Sequence, residues 1–178
     1  MAKKYKLTEE SINYCGRTLY RIEALKDFAN VKKGDKGGYV QSEDNLSQEG
    51  DCWISNNAKV FDDAKVYDNA LVLDNAQVYG NAVVYDNAGV FGDALVYGNV
   101  EISGNAEIKD NSDYIVFKNW WSSGRYFTWT RSNNMWKVGC FYGNGKELIA
   151  KAYKDSELSG REYERVVNYV ESMLQDTK

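Results

Sequence analysis

The residue types best suited to binding chemistry occur together in one segment of the C-terminal third. Residues 119–131 have the sequence NWWSSGRYFTWTR, which combines aromatic rings, hydroxyls and two guanidinium groups. Such residues can stack a nucleobase and hold a phosphate, and they can equally anchor a protein interface. A third interpretation is a strand with an aromatic inner face and backbone-bound arginines. The candidate binding residues are Trp120, Trp121, Ser123, Arg125, Tyr126, Trp129 and Arg131.

Catalytic chemistry is restricted by the absence of His from all 178 residues. This absence excludes Ser-His-Asp and Cys-His catalysis, a His general base and His-ligated metal sites. Cys15, Cys52 and Cys140 lie far apart and lack CxxC spacing. We therefore predict neither a zinc site nor a disulfide framework, and the cysteine usage suits a reducing compartment. We expect no catalytic residue, no metal and no cofactor.

The middle third of the chain is acidic. Residues 51–110 contain three Lys or Arg and ten Asp or Glu, a charge of −7 in a chain whose net charge is −4. This argues against direct nucleic-acid binding there, because phosphate binding requires Lys and Arg. Ordered carboxylates could instead imitate the phosphate charges of a duplex. The candidate acidic surface consists of Asp68, Asp74, Asp86 and Asp110.

The acidic region is also a repeat of hexads. In ten consecutive hexads from Asp51, the first place is always Asp or Asn and the fourth is always Val or Ile. The second place is small in nine hexads, and Val100 is the exception. A period of six does not match the 3.6-residue turn of an α-helix, but it suits short strands joined by tight corners. Because the second and fourth places point to the same side of a strand, we expect them to form the core.

Stacked carboxylates at such corners could also hold Ca²⁺. Asp86 lies three hexads after Asp68, and Asp110 lies six hexads after Asp74. Asn or Gly interrupts each column, however, and Asp is a common turn residue in its own right. The turn interpretation is therefore favoured over a metal site.

This pattern resembles the hexapeptide repeat of left-handed parallel β-helices. In that family three hexads make one triangular coil, which implies about three coils here and a left-handed path. We therefore predict a mainly β protein whose residues 51–111 form a left-handed parallel β-helix. Residues 1–50 are predicted to form an N-terminal strand and solenoid cap. Residues 112–178 are predicted to form a small C-terminal α+β domain with three strands and two helices.

Outward-facing positions of the repeat carry apolar and aromatic side chains, which a lone monomer would normally replace with polar ones. Stacking between coils is one explanation. Burial by a second subunit or by the flanking segments is another, and the two are compatible. The candidate oligomer face consists of Leu71, Leu73, Val83 and Tyr85. We expect a homo-oligomer, either a dimer or a trimer.

The flanks show separate patterns. In the N-terminal flank, alternation over 17–22 predicts a strand, and residues 31–40 form a turn-rich connection. In the C-terminal flank, strands are predicted at 114–118, 126–131 and 135–141. Asn144 with Glu147 is expected to start a short helix near 146–154, and a capping-box pattern at Ser159 and Glu162 predicts the start of a second helix.

Motifs across nearly the whole chain resemble one family. They include GRTLYRI at 16–22, GDKGGYV at 34–40, the Asn-Ala-x-Val repeats and WKVGCF at 136–141. The chain is similar to hexapeptide-repeat proteins encoded by phages and prophages of gut bacteria, which are often labelled acetyltransferase-like or polymer-forming. The resemblance implies a phage setting but no established activity, so it carries over no catalytic residue.

The favoured function is a non-catalytic binding protein that acts on a host protein complex, such as a counter-defence inhibitor of the anti-CRISPR kind. The binding surface would be the acidic solenoid or the aromatic and Arg-rich C-terminal segment. The alternatives are a structural or assembly oligomer, a sponge for a small nucleotide signal and, least favoured, an acyltransferase-like enzyme. No apolar run approaches the length of a membrane span, and no secretory signal follows the first lysines. We expect a protein without a membrane segment in the cytoplasm of an infected or lysogenic bacterial host.

Overall fold

Three strands, β1 (Tyr5–Tyr14), β2 (Arg17–Ala24) and β3 (Lys36–Val40), occupy the N-terminal part of the computed structural model, which describes residues 3–176. β1 and β2 form an antiparallel hairpin, and β2 pairs antiparallel with β3. The predicted strand at 17–22 is confirmed, whereas β1 was not predicted. β3 lies in the segment expected to be a turn-rich connection. Its glycines serve packing, since a Cβ on Gly37 or Gly38 would come within 2.5 Å of a backbone oxygen.

The repeat region folds into a β-solenoid of short strands. They are Trp53–Ile54 (β4), Lys59–Val60 (β5), Lys65–Val66 (β6), Leu71–Val72 (β7), Gln77–Gly80 (β8), Val83–Val84 (β9), Gly89–Val90 (β10), Leu95–Gly98 (β11), Glu101–Ile102 (β12) and Glu107–Ile108 (β13). Three parallel arrays result, in the orders β3-β5-β8-β11, β4-β7-β10-β13 and β6-β9-β12. The predicted step of three hexads per coil is confirmed by the pairing of Lys59 with Gln77 and of Gln77 with Leu95.

The solenoid has about four turns rather than the expected three. The additional coil contains β3 and Leu46, which precede the regular hexads, and β4, which lies in the first hexad. Tyr39 pairs with Lys59 and Leu46 bridges to Val66, so two of the three sides of this coil take a longer step than three hexads. The buried amide of Asn45 supports the wider corner, because its Nδ2 donates to backbone oxygens of the next coil at 2.9 Å.

The solenoid interior contains the second and fourth places of the hexads, as predicted. Every fourth-place side chain from Ile54 to Ile108 is at most 1% exposed, and so are the second-place side chains. Backbone hydrogen bonds join successive coils, for example from Lys59 N to Ala76 O at 2.9 Å. Stacked aliphatic side chains therefore remove a continuous apolar column from water, which is the main stabilising contribution of the solenoid.

The N-terminal segment covers one end and part of one face of the solenoid. Tyr5, Leu19 and Ile22 are completely buried. Trp53 points outward from its coil yet is only 4% exposed, because the rings of Tyr5 and Phe28 pack edge-on against it at 6.4 and 5.4 Å. Burial by a flanking segment therefore accounts for this aromatic side chain, and strand pairing protects the open sheet edge.

The C-terminal part contains an antiparallel sheet and two helices. The strands are Tyr114–Lys118 (β14), Tyr126–Thr130 (β15), Met135–Val138 (β16) and Phe141–Gly143 (β17), in that order. The expected third strand at 135–141 is thus two strands, because the chain turns at Gly139 with a φ of +55°. The helices are Gly145–Asp155 (α1) and Glu157–Asp176 (α2).

The helix starts differ in how well the sequence predicted them. Asn144 caps α1 in a reciprocal capping box with Glu147, as expected. The capping box predicted at Ser159 and Glu162 is wrong, because α2 begins earlier, at Glu157. The Ser156 hydroxyl accepts a hydrogen bond from Ser159 N at 3.1 Å, so Ser156 ends one helix and caps the next.

The described residues divide into two compact units. The first unit contains residues 3–115 with Thr130–Asn133, and therefore includes both the N-terminal strands and the solenoid. The second unit contains Val116–Trp129 with residues 134–176. Neither helix in the described residues combines the length and apolar character needed to cross a membrane.

Candidate functional site

The segment at 119–131 separates into a buried strand and an exposed loop. Trp129 is 2% exposed, and its Nε1 donates to Asn134 Oδ1 at 2.8 Å. This candidate is therefore a core residue of the second unit. Arg131 is exposed and belongs to the first unit, where its backbone N–H donates to Asp113 O at 2.8 Å.

The remaining candidates lie on or beside a loop that Asn119 holds in place. Asn119 is 3% exposed, its Oδ1 accepts from Ser122 N at 2.9 Å, and its backbone N–H donates to Arg125 O at 2.9 Å. The loop presents Trp120 with 76% of its surface exposed. Tyr126 is 41% exposed, and Lys118 Nζ lies 5.6 Å from its ring centroid.

Trp121 anchors the same loop from inside. Its ring packs edge-on against Tyr163 at 5.0 Å and against Phe127 at 6.2 Å. Its buried Nε1 has no hydrogen-bond partner in the described part of the chain. Two adjacent tryptophans therefore have opposite roles, since Trp121 fixes the loop and Trp120 faces outward.

A pocket of about 220 Å³ lies within the second unit beside this loop. Asn119, Ser122, Ser123 and Arg125 of the predicted segment contribute to its lining, together with residues from outside that segment: Val138, Phe141, Leu148, Lys151, Ala152, Asp155, Ser159 and Tyr163. Burial raises the pKa of the Tyr163 phenol, while Asn119 and Arg125 oppose that shift. Six of these residues belong to the two helices, far along the chain from the loop, and no sequence pattern connected them with it.

The candidate acidic residues occupy the solenoid corners and are engaged there. Asp86 N donates to Asp68 Oδ2 at 3.4 Å, and Gly92 N donates to Asp74 Oδ2 at 3.1 Å. Asp110 accepts from Ser112 N at 2.9 Å, a hydrogen bond that lowers the pKa of its carboxyl group. Asp68 and Asp86 lie in one column, as predicted, and each of the four carboxylates accepts a backbone hydrogen bond while remaining exposed.

The candidate oligomer face includes an apolar groove in the first unit. Leu71 is 37% exposed, whereas Leu73, Val83 and Tyr85 are half-buried. Leu71 and Leu73 line a groove of about 410 Å³ together with Val31 and Trp53. Elsewhere on the solenoid the outward aromatic rings stack on one another, as for Phe61 and Tyr79 at 5.0 Å.

A polar groove of about 760 Å³ also lies in the first unit, and no candidate residue had been placed there. Its lining includes Asp44, Asp62, Asp63 and Lys65. Asp62 already pairs with Arg17 at 2.5 Å and accepts from Gly80 N at 3.4 Å. Within residues 3–176 no group of three or more Cys, Asp or Glu side chains is placed to hold a metal ion.

Comparisons with known proteins add no family assignment. No protein-family model matches the chain, and a search of curated proteins finds no match.

Proposed function

We propose that this chain is a non-catalytic binding protein that acts on a host protein complex in a phage setting. The proposed contact surface, called here the Trp120 surface, consists of Trp120, Ser123, Arg125 and Tyr126. The observation that carries the proposal is the 76% exposure of Trp120 on a loop that is otherwise internally bonded. Trp, Tyr and Arg are the residues most enriched at the energetic centres of protein interfaces.

The rigidity of the loop supports a binding role. Asn119 and Trp121 hold the backbone on either side of Trp120 through hydrogen bonds and ring packing. A loop that is already ordered loses little conformational entropy when a partner docks. The exposed ring of Trp120 then contributes its apolar area to binding, and we expect the partner to offer an apolar pocket with a nearby acidic group for Arg125.

The host target follows from the resemblance to phage-encoded hexapeptide-repeat proteins. Useful targets in that setting are defence complexes, including CRISPR effectors and restriction systems. The lack of His removes the residue on which acyltransferases of the resembling scaffold rely. These points favour binding over catalysis.

A structural or assembly oligomer is the second candidate, and one observation favours it. The groove beside Leu71 and Leu73 is mainly apolar, which is typical of a face covered in an assembly. Light scattering on the purified chain and on Leu71→Asp tests this candidate. A dimer or trimer that dissociates in the variant supports it, whereas a monomer in both proteins contradicts it.

The binding proposal is tested by capture of a stoichiometric complex from lysate of a bacterial host. Tagged parent protein, Trp120→Ala and Tyr169→Ala are compared, with Tyr169 as a 57% exposed aromatic control in the same unit. We expect the parent and Tyr169→Ala to retain one complex that Trp120→Ala loses. A complex retained by Trp120→Ala, and also by Arg125→Ala combined with Arg131→Ala, would contradict the proposed surface. If the complex is lost when Asp68 and Asp86 are changed to Asn, the binding surface is the acidic solenoid corners instead.

A further inference from the structure

The pocket of the second unit contains charged groups that the fold does not use. Among the described residues, ion pairs in this unit join Arg161 to Glu157 and Arg165 to Glu162. Arg125, Lys151 and Asp155 line the pocket and take part in none of these pairs. All three side chains are exposed, and they line a concave, partly apolar surface, which is the composition typical of small-molecule sites.

The Arg125 guanidinium lies against the backbone at Gly139. Gly139 has a φ of +55°, and a Cβ at this position would come within 2.5 Å of Arg125 Nη1. Any larger residue would therefore push the guanidinium away from its present place. The positive φ of Gly139 belongs to the turn between β16 and β17, so the geometry places the Arg125 guanidinium directly against this turn.

The buried side of the pocket carries a polar pair. Tyr163 is 7% exposed, and its hydroxyl accepts a hydrogen bond from Asn119 Nδ2 at 3.2 Å. That bond uses a lone pair of the phenol oxygen and leaves the phenol proton free to be donated to a ligand. Arg125 and Asp155 both act electrostatically on this phenol, so the three groups converge on the same region.

Four other lining residues are apolar: Val138, Phe141, Leu148 and Ala152. An apolar wall combined with a few polar groups is the usual composition of a small-molecule site. The ligand must therefore carry an uncharged body as well as a charged group. A bare inorganic ion would leave the apolar wall without a contact.

We propose that this pocket binds a small organic monoanion, in which one negative charge is shared by two oxygens of a carboxylate or a phosphodiester. Such a group accepts two parallel hydrogen bonds from the planar guanidinium of Arg125. Lys151 adds a second positive charge, the Tyr163 hydroxyl donates to the ligand, and Asp155 accepts from a hydroxyl or amino group of its body. This inference goes beyond the proposed function and does not depend on it.

The charge of the lining distinguishes a monoanion from a phosphomonoester. Arg125 and Lys151 contribute two positive charges and Asp155 one negative charge, which leaves an excess of one. A phosphomonoester carries about −1.5 to −2 at neutral pH and would face Asp155 with uncompensated charge. The volume of about 220 Å³ is below the range of roughly 300–1,000 Å³ for sites that enclose drug-sized ligands.

The test is a titration of the full-length, isotope-labelled protein followed by backbone amide NMR. Benzoate serves as the carboxylate probe and cyclic AMP as the phosphodiester probe, with benzamide and adenosine as their uncharged counterparts. We expect saturable shifts at Arg125, Gly139 and Tyr163 with one of the two anions and no saturation with its uncharged counterpart. The anion whose shifts reach saturation shows whether the ligand is a carboxylate or a phosphodiester.

Variants show whether binding depends on the specific residues of the pocket or only on the overall charge of the protein. Arg125→Ala should weaken binding at least tenfold, and Arg125→Lys should recover only part of the loss, because a point charge cannot form the paired hydrogen bonds. Gly139→Ala should weaken binding similarly. Gly98→Ala is its control, since Gly98 has a φ of +78° but no atom within 4 Å of a built Cβ. Arg161→Ala controls for loss of surface charge.

Three results would overturn the proposal. They are no saturation by either anion at millimolar concentration, equal binding of an uncharged counterpart, and affinity in Arg125→Ala within twofold of the parent. Arg125 is exposed and unpaired, so its variants should fold, and amide dispersion in the same spectra verifies this. The proposal therefore remains testable even if Gly139→Ala does not fold.

Discussion

Lys4 Nζ donates a 3.0 Å hydrogen bond to the backbone carbonyl of Cys52, and both side chains are completely buried. The same ammonium donates to the carbonyls of Glu49 and Gly50 at 3.2 Å, and it lies 5.2 Å from the Phe28 ring centroid. The buried charge is therefore solvated by backbone oxygens where the chain enters the regular hexads. One side chain of the N-terminal segment thus donates to three backbone carbonyls of this turn.

Replacing Lys4 tests this role. Lys4→Met keeps most of the side-chain volume but removes every donor, and we expect the free energy of unfolding to fall by about 2 kcal/mol. Lys6→Met is the control, because Lys6 forms only an exposed ion pair with Glu23 and should change stability by less than about 0.5 kcal/mol. Urea denaturation measures both. Equal stability of the two variants would contradict the role of Lys4.

Cysteine reactivity should distinguish one thiol from the other two. Burial raises the pKa of the Cys52 thiol, which lowers its thiolate fraction, whereas Cys15 and Cys140 are exposed. We expect an alkylating reagent to modify Cys15 and Cys140 rapidly in the native protein and Cys52 only on unfolding. Peptide mass spectrometry after timed quenching identifies each site. Rapid modification of Cys52 in native buffer would show that this end of the solenoid opens readily.

Adjacent valines in one strand should differ in their contribution to stability. Val84 is completely buried between coils, and Val83 is half-buried on the outer face of β9. Val84→Ala should lower the free energy of unfolding by about 2 kcal/mol through lost transfer energy and a residual cavity. Val83→Ala should lower it by less than half as much. If chemical denaturation finds a larger effect at Val83, an oligomer that buries the outer face would explain the reversal.

The Tyr67 ring stacks on the Tyr85 ring of the next coil, with centroids 5.0 Å apart, and this pair predicts that stability depends on alkaline pH. Burial, followed by the proximity of Tyr85, raises the pKa of the Tyr67 phenol from 10 to about 12. The unfolded chain loses this proton first, so the contribution of Tyr67 to stability is complete below pH 10 and is lost as pH rises towards 12. Tyr67→Phe should therefore show a shallower loss of stability across this range in urea denaturation. Parallel pH profiles of parent and variant would contradict the assignment.

In the second unit, substitutions of Trp129 and Trp120 should have different effects on stability. Trp129→Ala should destabilise this unit by about 4 kcal/mol, because it empties a core position and leaves Asn134 without its indole donor. Trp120→Ala should change stability by less than about 0.5 kcal/mol, because its ring is mostly in water. Thermal denaturation checks both variants. If Trp120→Ala is strongly destabilised, its failure to capture the host complex would reflect unfolding of the protein and not the loss of a binding contact.

The solenoid could be predicted because its contacts repeat in the sequence. Each hexad meets equivalent residues three hexads away, so a local pattern also specifies the tertiary neighbours, as the pairing of Lys59 with Gln77 shows. The first coil escaped prediction because Tyr39 and Leu46 pair at a step longer than three hexads, outside the period of the repeat. Its irregular corner depends on the amide of Asn45, which carries no periodic signal.

The candidate site could be predicted only as a segment. Composition identified residues 119–131, but it did not show that Trp120 is exposed while Trp121 and Trp129 pack inward. Nor did it connect Arg125 with Lys151 and Tyr163, which are contributed by two later helices. Whether each side chain of this segment is exposed or buried depends on where the strand ends and the loop begins, and on which residues pack against the loop.

Sequence alone was sufficient for the features that depend on periodicity and composition, namely the β-solenoid, its core places, its acidic corners and the lack of His chemistry. The tertiary structure alone decided which exposed groups remain without a structural partner. Asp68 and Asp74 accept backbone hydrogen bonds from the following coil, whereas Arg125 lies against Gly139 and has no side-chain partner in the described chain. The physical reason is that burial and hydrogen bonding depend on which residues are neighbours in space. In a repeat these neighbours lie at a fixed separation in the sequence and can be predicted from it, whereas elsewhere they cannot.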